Sequence, residues 1–461
     1  MRRILFLFLL CSMMINAAFG QSVDVSLDSS VSASKVSEKM SISATQVGTL
    51  SAVLPTSSRT KVILKGGATL SYTYSGETGE GTVSYPSEAN EFDLQEASWN
   101  FGSTLQEEKL DMLTVALGRI PYTDPTGSLY SYRLDGLSLS ATYGRLTIQS
   151  ILGYTGFLPE SDTILNSTSD SNYGTEGFLP GFAPPRAVAA FTLKPPSIAR
   201  HELYASFIAQ EDLRDDADLV QEYETVKAFD KSGPADKAYV AIGFAGPQSS
   251  PIAYSAYTTV QLGRVLSYVE DQSSLTGFRY LYAPVKAFSL GGQLRMAINP
   301  RINLALRLQY GSGDPDADTG TEGNADGDST LFIPITQSST GLVFSPQAGN
   351  VSLLSATLSG KPFPSVALGP KAITLVGRTF LFAKNGEGPI SEAGVDPSAG
   401  FSLLGIEQDI TATARLLSDL NASLSLGTFI PFSTPFGAFD PSYVEASPLQ
   451  LTIRAGLALA L

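Results

Sequence analysis

Leu449–Leu461 reads LQLTIRAGLALAL. Leu449, Leu451, Ile453, Ala455, Leu457, Leu459 and Leu461 are apolar, and the residues between them (Gln450, Thr452, Arg454, Gly456, Ala458, Ala460) are polar or small. A period of two is the pattern of a β-strand with one apolar face. At the end of a soluble domain such a strand would offer an unpaired edge and a bare apolar face to other chains. In a transmembrane barrel the last strand closes on the first and its apolar face meets lipid. The terminal strand therefore predicts an all-β, antiparallel transmembrane barrel.

The other end of the chain points the same way. Arg2 and Arg3 precede the apolar run Ile4–Leu10, and Ala18-Phe19-Gly20 offers small residues to a signal peptidase. Residues 1–20 are expected to be a cleaved leader and residues 21–461 the barrel. Cys11, the only cysteine, would leave with the leader, so the mature chain could form no internal disulfide. Acylation at Cys11 is the competing reading, but bulky Leu10 precedes it where a small residue is expected. Beyond the leader no apolar run approaches the roughly 20 residues of a transmembrane helix. Barrel strands need only about ten residues with one apolar face, which suits a mean hydropathy of +0.08. A formal charge of −14 argues against nucleic acid as a partner.

Eight segments alternate clearly: 61–74, 137–143, 146–154, 288–298, 302–310, 404–416, 420–426 and 449–461. Ten weaker ones lie near residues 23, 42, 92, 110, 186, 200, 238, 252, 351 and 371. Together they predict about 18 strands (16–18), and single-chain bacterial barrels have an even number. If Leu461 is periplasmic, the short turns at Gly144, Lys194-Pro195-Pro196, Asn299 and Ser418 share its side. The long connections at 155–185, 211–237, 311–350, 383–402 and 431–448 then fall outside. One of these holds Asp314, Asp316 and Asp318 at calcium-loop spacing, but Gly320 and Glu322 miss the EF-hand positions, so a solvated acidic loop over 314–328 is the plainer reading.

The apolar face of the clear strands carries no Lys, Arg, Asp or Glu, and Tyr72, Tyr74, Tyr143, Tyr154 and Tyr310 stand at strand ends as an interfacial girdle would. An uncharged outer surface would also permit a homo-oligomer. The opposite face holds Lys61, Lys65, Arg295, Arg307, Arg415 and Arg454 against Glu407 and Asp409, the reverse of the chain's overall acidic balance. If that face lines a lumen, the lumen is net positive and favours anions; the arginines would also pair with Glu407, Asp409 and loop acids. His201 is the only histidine, and no serine can be tied to it from sequence, so no catalytic site, cofactor or metal is expected.

From about Glu91 onward the chain resembles the alginate-export-like, porin-like outer-membrane barrels. The matching pieces are Leu94–Trp99 (LQEASW), Val115–Ile120 (VALGRI), Arg133–Gly144 (RLDGLSLSATYG), Tyr310–Asp314 (YGSGD), Gly405–Asp409 (GIEQD) and Leu426–Pro431 (LGTFIP). The resemblance implies an 18-stranded barrel with an arginine-rich, anion-selective conduit, in which Arg119, Glu407 and Asp409 are wall residues. The expected function is a bacterial outer-membrane channel for small hydrophilic, anionic solutes or oligosaccharides. One rival is a surface adhesin or binding barrel acting through its long acidic loops; a second is a membrane enzyme centred on His201.

Overall fold

The partner that the terminal strand requires is the first strand of the barrel. In the computed structural model, β1 (Ser22–Val36) pairs antiparallel with the terminal strand (Gln450–Ala460), Leu27 opposite Leu459 and Ala33 opposite Ile453. The structure describes residues 22–460 apart from 37–38, 56–59, 78–79, 85–88, 101–109, 159–181, 215–231, 248–249, 271, 273–277, 321–322, 337–339 and 363–372; between residues 51 and 100 it describes backbone only. The expected leader and Cys11 lie outside the described residues.

In chain order the strands are β1, β2 (Lys39–Pro55), β3 (Thr60–Glu77), β4 (Glu80–Ser84), β5 (Ala89–Asn100), β6 (Leu110–Thr123), β7 (Ser131–Tyr143), β8 (Leu146–Tyr154) and β9 (Arg186–Lys194). They continue as β10 (Glu202–Asp212), β11 (Ser232–Ala245), β12 (Ile252–Glu270), β13 (Phe278–Asn299), β14 (Ile302–Gly311) and β15 (Val351–Gly360). The last four are β16 (Ile373–Lys384), β17 (Ser402–Arg415), β18 (Leu420–Pro431) and β19 (Gln450–Ala460), with one short helix, α1 (Pro441–Ala446), before β19. Among the described residues these nineteen segments form one sheet in which sequence neighbours pair antiparallel. β4 and β5 both pair with β3, at Thr73–Glu77 and Thr60–Thr69, so the ring has one position fewer than it has segments. With β19 on β1 the sheet closes on itself, the condition under which strands can cross hydrocarbon.

The two faces of the wall differ as a barrel in lipid demands. Leu152, Leu308, Ile410, Leu424 and Leu457 are 51–62 % exposed on the outside. Ile151, Gln309, Asp409 and Thr452, on the other face, are buried. Side chains facing the inside of so wide a ring become buried only when chain segments fold into it. Tyr154 against Phe157, Phe288 against Tyr310 and Phe244 against Tyr254 form outward aromatic pairs at centroid distances of 5.0–6.4 Å, placed as interfacial anchors. At a β-bulge opposite Phe382 and Ala383, Leu404 turns inward and is fully buried, which departs from its expected place on the lipid face beside Ile406.

Because every neighbour is antiparallel, the connections after Tyr143, Lys194, Asn299 and Arg415 lie at the end where β19 stops. Those after Tyr143, Asn299 and Arg415 are tight, and the hairpin after β7 needs only Gly144, at φ +61°, and Arg145; the connection after Lys194 runs through residues 195–201. The long connections 155–185, 213–231, 312–350, 385–401 and 432–449 lie at the opposite end.

Leu424→Arg would place a charge on the lipid face of β18, and we expect it to destabilise the barrel by about 2–4 kcal/mol. Thr413→Arg, on the lumenal face of β17, should change stability by only about 0.5 kcal/mol. Urea midpoints of the barrels refolded into vesicles check this; equal losses would remove the assignment of faces.

Candidate functional site

The connection 312–350 between β14 and β15 carries Leu331, Phe332, Ile333, Ile335 and Phe344, and these side chains are buried because the segment runs inside the barrel. It leaves the wall beside β13, where Lys286 N donates to Ser329 O and Ser329 N to Pro284 O, each at 2.8 Å. Deeper in, Ile333 N donates to Gln261 Oε1 on β12 at 2.8 Å, and Tyr239 Oη on β11 donates to Ile333 O. Thr336 is held by the β6–β7 connection: its N donates to Leu129 O at 3.1 Å and its Oγ1 accepts from Ser131 N at 2.9 Å. That connection is folded by Asp124, whose Oδ1 accepts from Leu129 N and Tyr130 N at 3.0 Å each.

The same segment then reaches the far wall. Val343 N and Phe344 N donate to the two carboxylate oxygens of Glu407 on β17 at 2.9 and 2.8 Å, and Leu342 N donates to Asp409 Oδ2 at 3.3 Å. Arg454 on β19 donates to Leu342 O at 3.4 Å. The Phe344 ring stacks on Phe429 of β18 at 4.3 Å and meets the edge of Phe382 of β16 at 5.0 Å. Small residues make the approach possible: a Cβ on Gly341 would overlap the Glu407 carboxylate, and one on Gly427 would come within 2.8 Å of Leu342 Cβ. On the way back Gln347 N donates to Ser391 Oγ at 2.8 Å, and Asn350, at φ 57°, donates from Nδ2 to the carbonyls of Gly386, Glu387 and Gly388 at 3.2 Å each. Residues 312–350 thus form a strap across the lumen.

The residues expected in the pore divide into three groups. Arg295 on β13, Arg307 on β14 and Arg454 take the lumenal face, Arg295 and Arg454 exposed there and Arg307 bonded to Gln309 Oε1 at 2.7 Å. Lys61 and Lys65 take the lumenal register on β3, their side chains lying outside the described residues. Arg415 is also lumenal but donates to Ser418 O at 2.6 Å, capping the β17–β18 turn. Glu407 and Asp409 do not line an open path as expected: they are 0 and 2 % exposed, and their oxygens accept backbone N–H groups of the strap. Arg119 is a correction of a different kind. It shares the outward face of β6 with Leu117, opposite Asp135 on β7, and ion-pairs with it at 2.9 Å while donating to Phe157 O at 2.9 Å.

Arg378 on β16, unnoticed in the sequence, stands in register with Asp409 and is exposed on the lumenal face. The acidic loop is largely self-contained. Asp314 accepts from Asp316 N and Thr330 N at 3.0 and 2.8 Å, and Asp328 pairs with Lys286; no group of three metal-binding side chains occurs among the described residues. His201 is bonded through Nδ1 to Ala199 O at 3.0 Å and through Nε2 to Tyr254 Oη.

Glu407→Ala removes two hydrogen bonds to a carboxylate, each contributing about 1.5–3 kcal/mol. Amide exchange at Val343 and Phe344 should then rise by about one to two orders of magnitude while β17 stays protected. Hydrogen exchange resolved at residues 340–347 reads this; unchanged protection would mean that the carboxylate does not hold the strap.

No family model and no curated protein matches the chain. The solved structures similar to it include Pseudomonas aeruginosa OccK5 (OpdH), at TM-score 0.54 and 11 % identity over 96 % of this chain and 98 % of that one. Pseudomonas aeruginosa OpdQ gives 0.54 and 11 % over 96 % and 98 %, and Pseudomonas aeruginosa OccK2 (OpdF) in complex with glucuronate gives 0.50 and 12 % over the same shares. What the chain has in common with them is the fold, a closed porin-like β-barrel matched over nearly its whole length.

Proposed function

We propose that this chain is a bacterial outer-membrane channel through which small hydrophilic anions diffuse, with residues 1–20 as its export leader and 21–461 as the barrel. The observation that carries the reading is the arrangement of charge on one lumenal sector. Arg295, Arg307, Arg378 and Arg454 stand on β13, β14, β16 and β19, while Glu407 and Asp409 in the same sector are buried and bonded to the strap. In a lumen narrowed by that strap, fixed cations replace part of the counter-charge and hydration of a passing anion. No reaction is assigned to the chain.

Two further observations support the reading. The solved structures similar in fold include Pseudomonas OccK and Opd outer-membrane porins, one of them in complex with glucuronate, a small organic anion. The sequence pieces that resemble alginate-export-like barrels would suit acidic saccharides. At the outer ends of the strands Asp212 is paired with Arg186 and Arg214 and Asp236 with Arg264, and Asp440 caps α1, so these acids are engaged within the chain.

In a planar bilayer with a salt gradient, the refolded mature chain should give open steps with an anion-selective reversal potential. Arg295→Glu with Arg378→Glu should reverse its sign, and the preference should fade at high salt. A folded barrel that never conducts, or one that prefers cations, would overturn the proposal.

A further inference from the structure

The arginine sector occupies β13 to β19, and the adjoining sector, β10 to β13, has a different chemistry. Tyr204 on β10 stands opposite Gly243 on β11, Gly243 opposite Tyr257 on β12, and Tyr257 opposite Gly291 on β13. All four take the lumenal face, for Leu203, Ile242 and Leu290 beside them point outward and are exposed. Each glycine leaves room for a ring: a Cβ on Gly243 would overlap the phenol of Tyr204, and one on Gly291 the phenol of Tyr257. The tyrosines therefore lie along the wall, each covering the glycine of the next strand. With neighbouring strands about 4.8 Å apart, the row spans roughly 14 Å. Both tyrosines are partly buried, and the Tyr257 hydroxyl is fully so.

Hydroxyl and amide groups border this strip on both sides. The row toward the loops holds Ser206, Thr259 and Ser289, which are buried, Ser206 bonded to Thr192 and Ser289 to Tyr310 O; the row toward the turns holds the partly exposed Ser255 and Gln293 before it reaches Arg307. Thr259 is fully buried, and its Oγ1 has no hydrogen-bond partner. Arg307 and Ser128 lie beside the Tyr257 hydroxyl.

From this arrangement we propose that the row Tyr204–Gly243–Tyr257–Gly291 is a platform that stacks sugar rings. The inference rests on the channel reading and adds a solute class to it. A pyranose has an apolar C–H face that fits a flat aromatic surface and a rim of hydroxyls that fits the bordering Ser255 and Gln293 side chains. A charged solute without a ring would be drawn to the arginine sector and gain nothing here. A neutral saccharide engages the platform without needing the arginines.

Maltotriose, a neutral oligosaccharide, is the probe. Added to a bilayer holding the refolded chain, it should block the ion current in a concentration-dependent way. Tyr204→Ala with Tyr257→Ala should weaken the block about tenfold and leave ion flow intact, whereas Tyr204→Phe with Tyr257→Phe should retain most of it. Gly291→Val, which lifts the Tyr257 ring off the wall, should weaken the block with both tyrosines present. A conducting barrel that maltotriose does not block, a block unchanged in the double alanine variant, or a block by benzoate and not by maltotriose would each overturn the platform. Saturation-transfer NMR between maltotriose and the refolded barrel reads the same contact without current. A barrel that binds the sugar through the two tyrosines but never conducts therefore refutes the channel and keeps the platform.

Discussion

The rest of the structure depends on the hydrogen-bonded seam between β19 and β1. A strand in hydrocarbon has no water to satisfy its peptide groups, and one open edge would leave a whole row of them unpaired at several kcal/mol each. Closure removes that cost for every strand together, so the ring exists whole or not at all. It also fixes which residues face inward, because with a side-chain period of two a register slip of one residue would turn a strand's apolar face into the lumen.

Given a closed ring, the interior must be filled or left to water. The strap 312–350 fills part of it by exchanging backbone N–H groups for carboxylate and amide oxygens of the wall, at Gln261 on one side and at Glu407 and Asp409 on the other. Buried carboxylates are costly unless several donors converge on them. Three successive strap amides, Leu342, Val343 and Phe344, supply those donors, and Gly341 and Gly427 let the backbone come close enough to do so. Fold and site are thus one construction: the side chains that give the lumen its shape are those that tie the strap down.

Where the inner face is polar, the sequence was easy to read. β13, β14, β17 and β18 alternate cleanly because Arg295, Gln309 and Asp409 face a wet or hydrogen-bonded interior while Leu294, Leu308 and Ile410 face lipid. β9, β10, β11 and β16 were faint for the complementary reason. Val188, Ala190, Ile208 and Ala241 pack against Phe332 and Ile335, and Phe380 and Phe382 pack beside Phe344, so both faces of these strands are apolar and the period of two fades. Arg378 was lost with the phase of its strand. Arg119 was misplaced although its phase was legible, since Leu117 two residues before it has the outward parity; a short motif outweighed the alternation. The anchoring role of Glu407 had no local signal, as its partners Val343 and Phe344 lie more than sixty residues earlier in the chain.

The strap has a mechanical consequence as well. A wall one strand thick resists stretching along its hydrogen bonds but ovalises readily, as any thin hoop does. A member fastened near Ile333 on one arc and near Val343 on the other acts as a cross-brace and opposes that deformation. The bore should keep its cross-section under the uneven lateral pressure of a crowded membrane, and sieving by size would then follow from the bracing of the hoop as much as from the residues that line it.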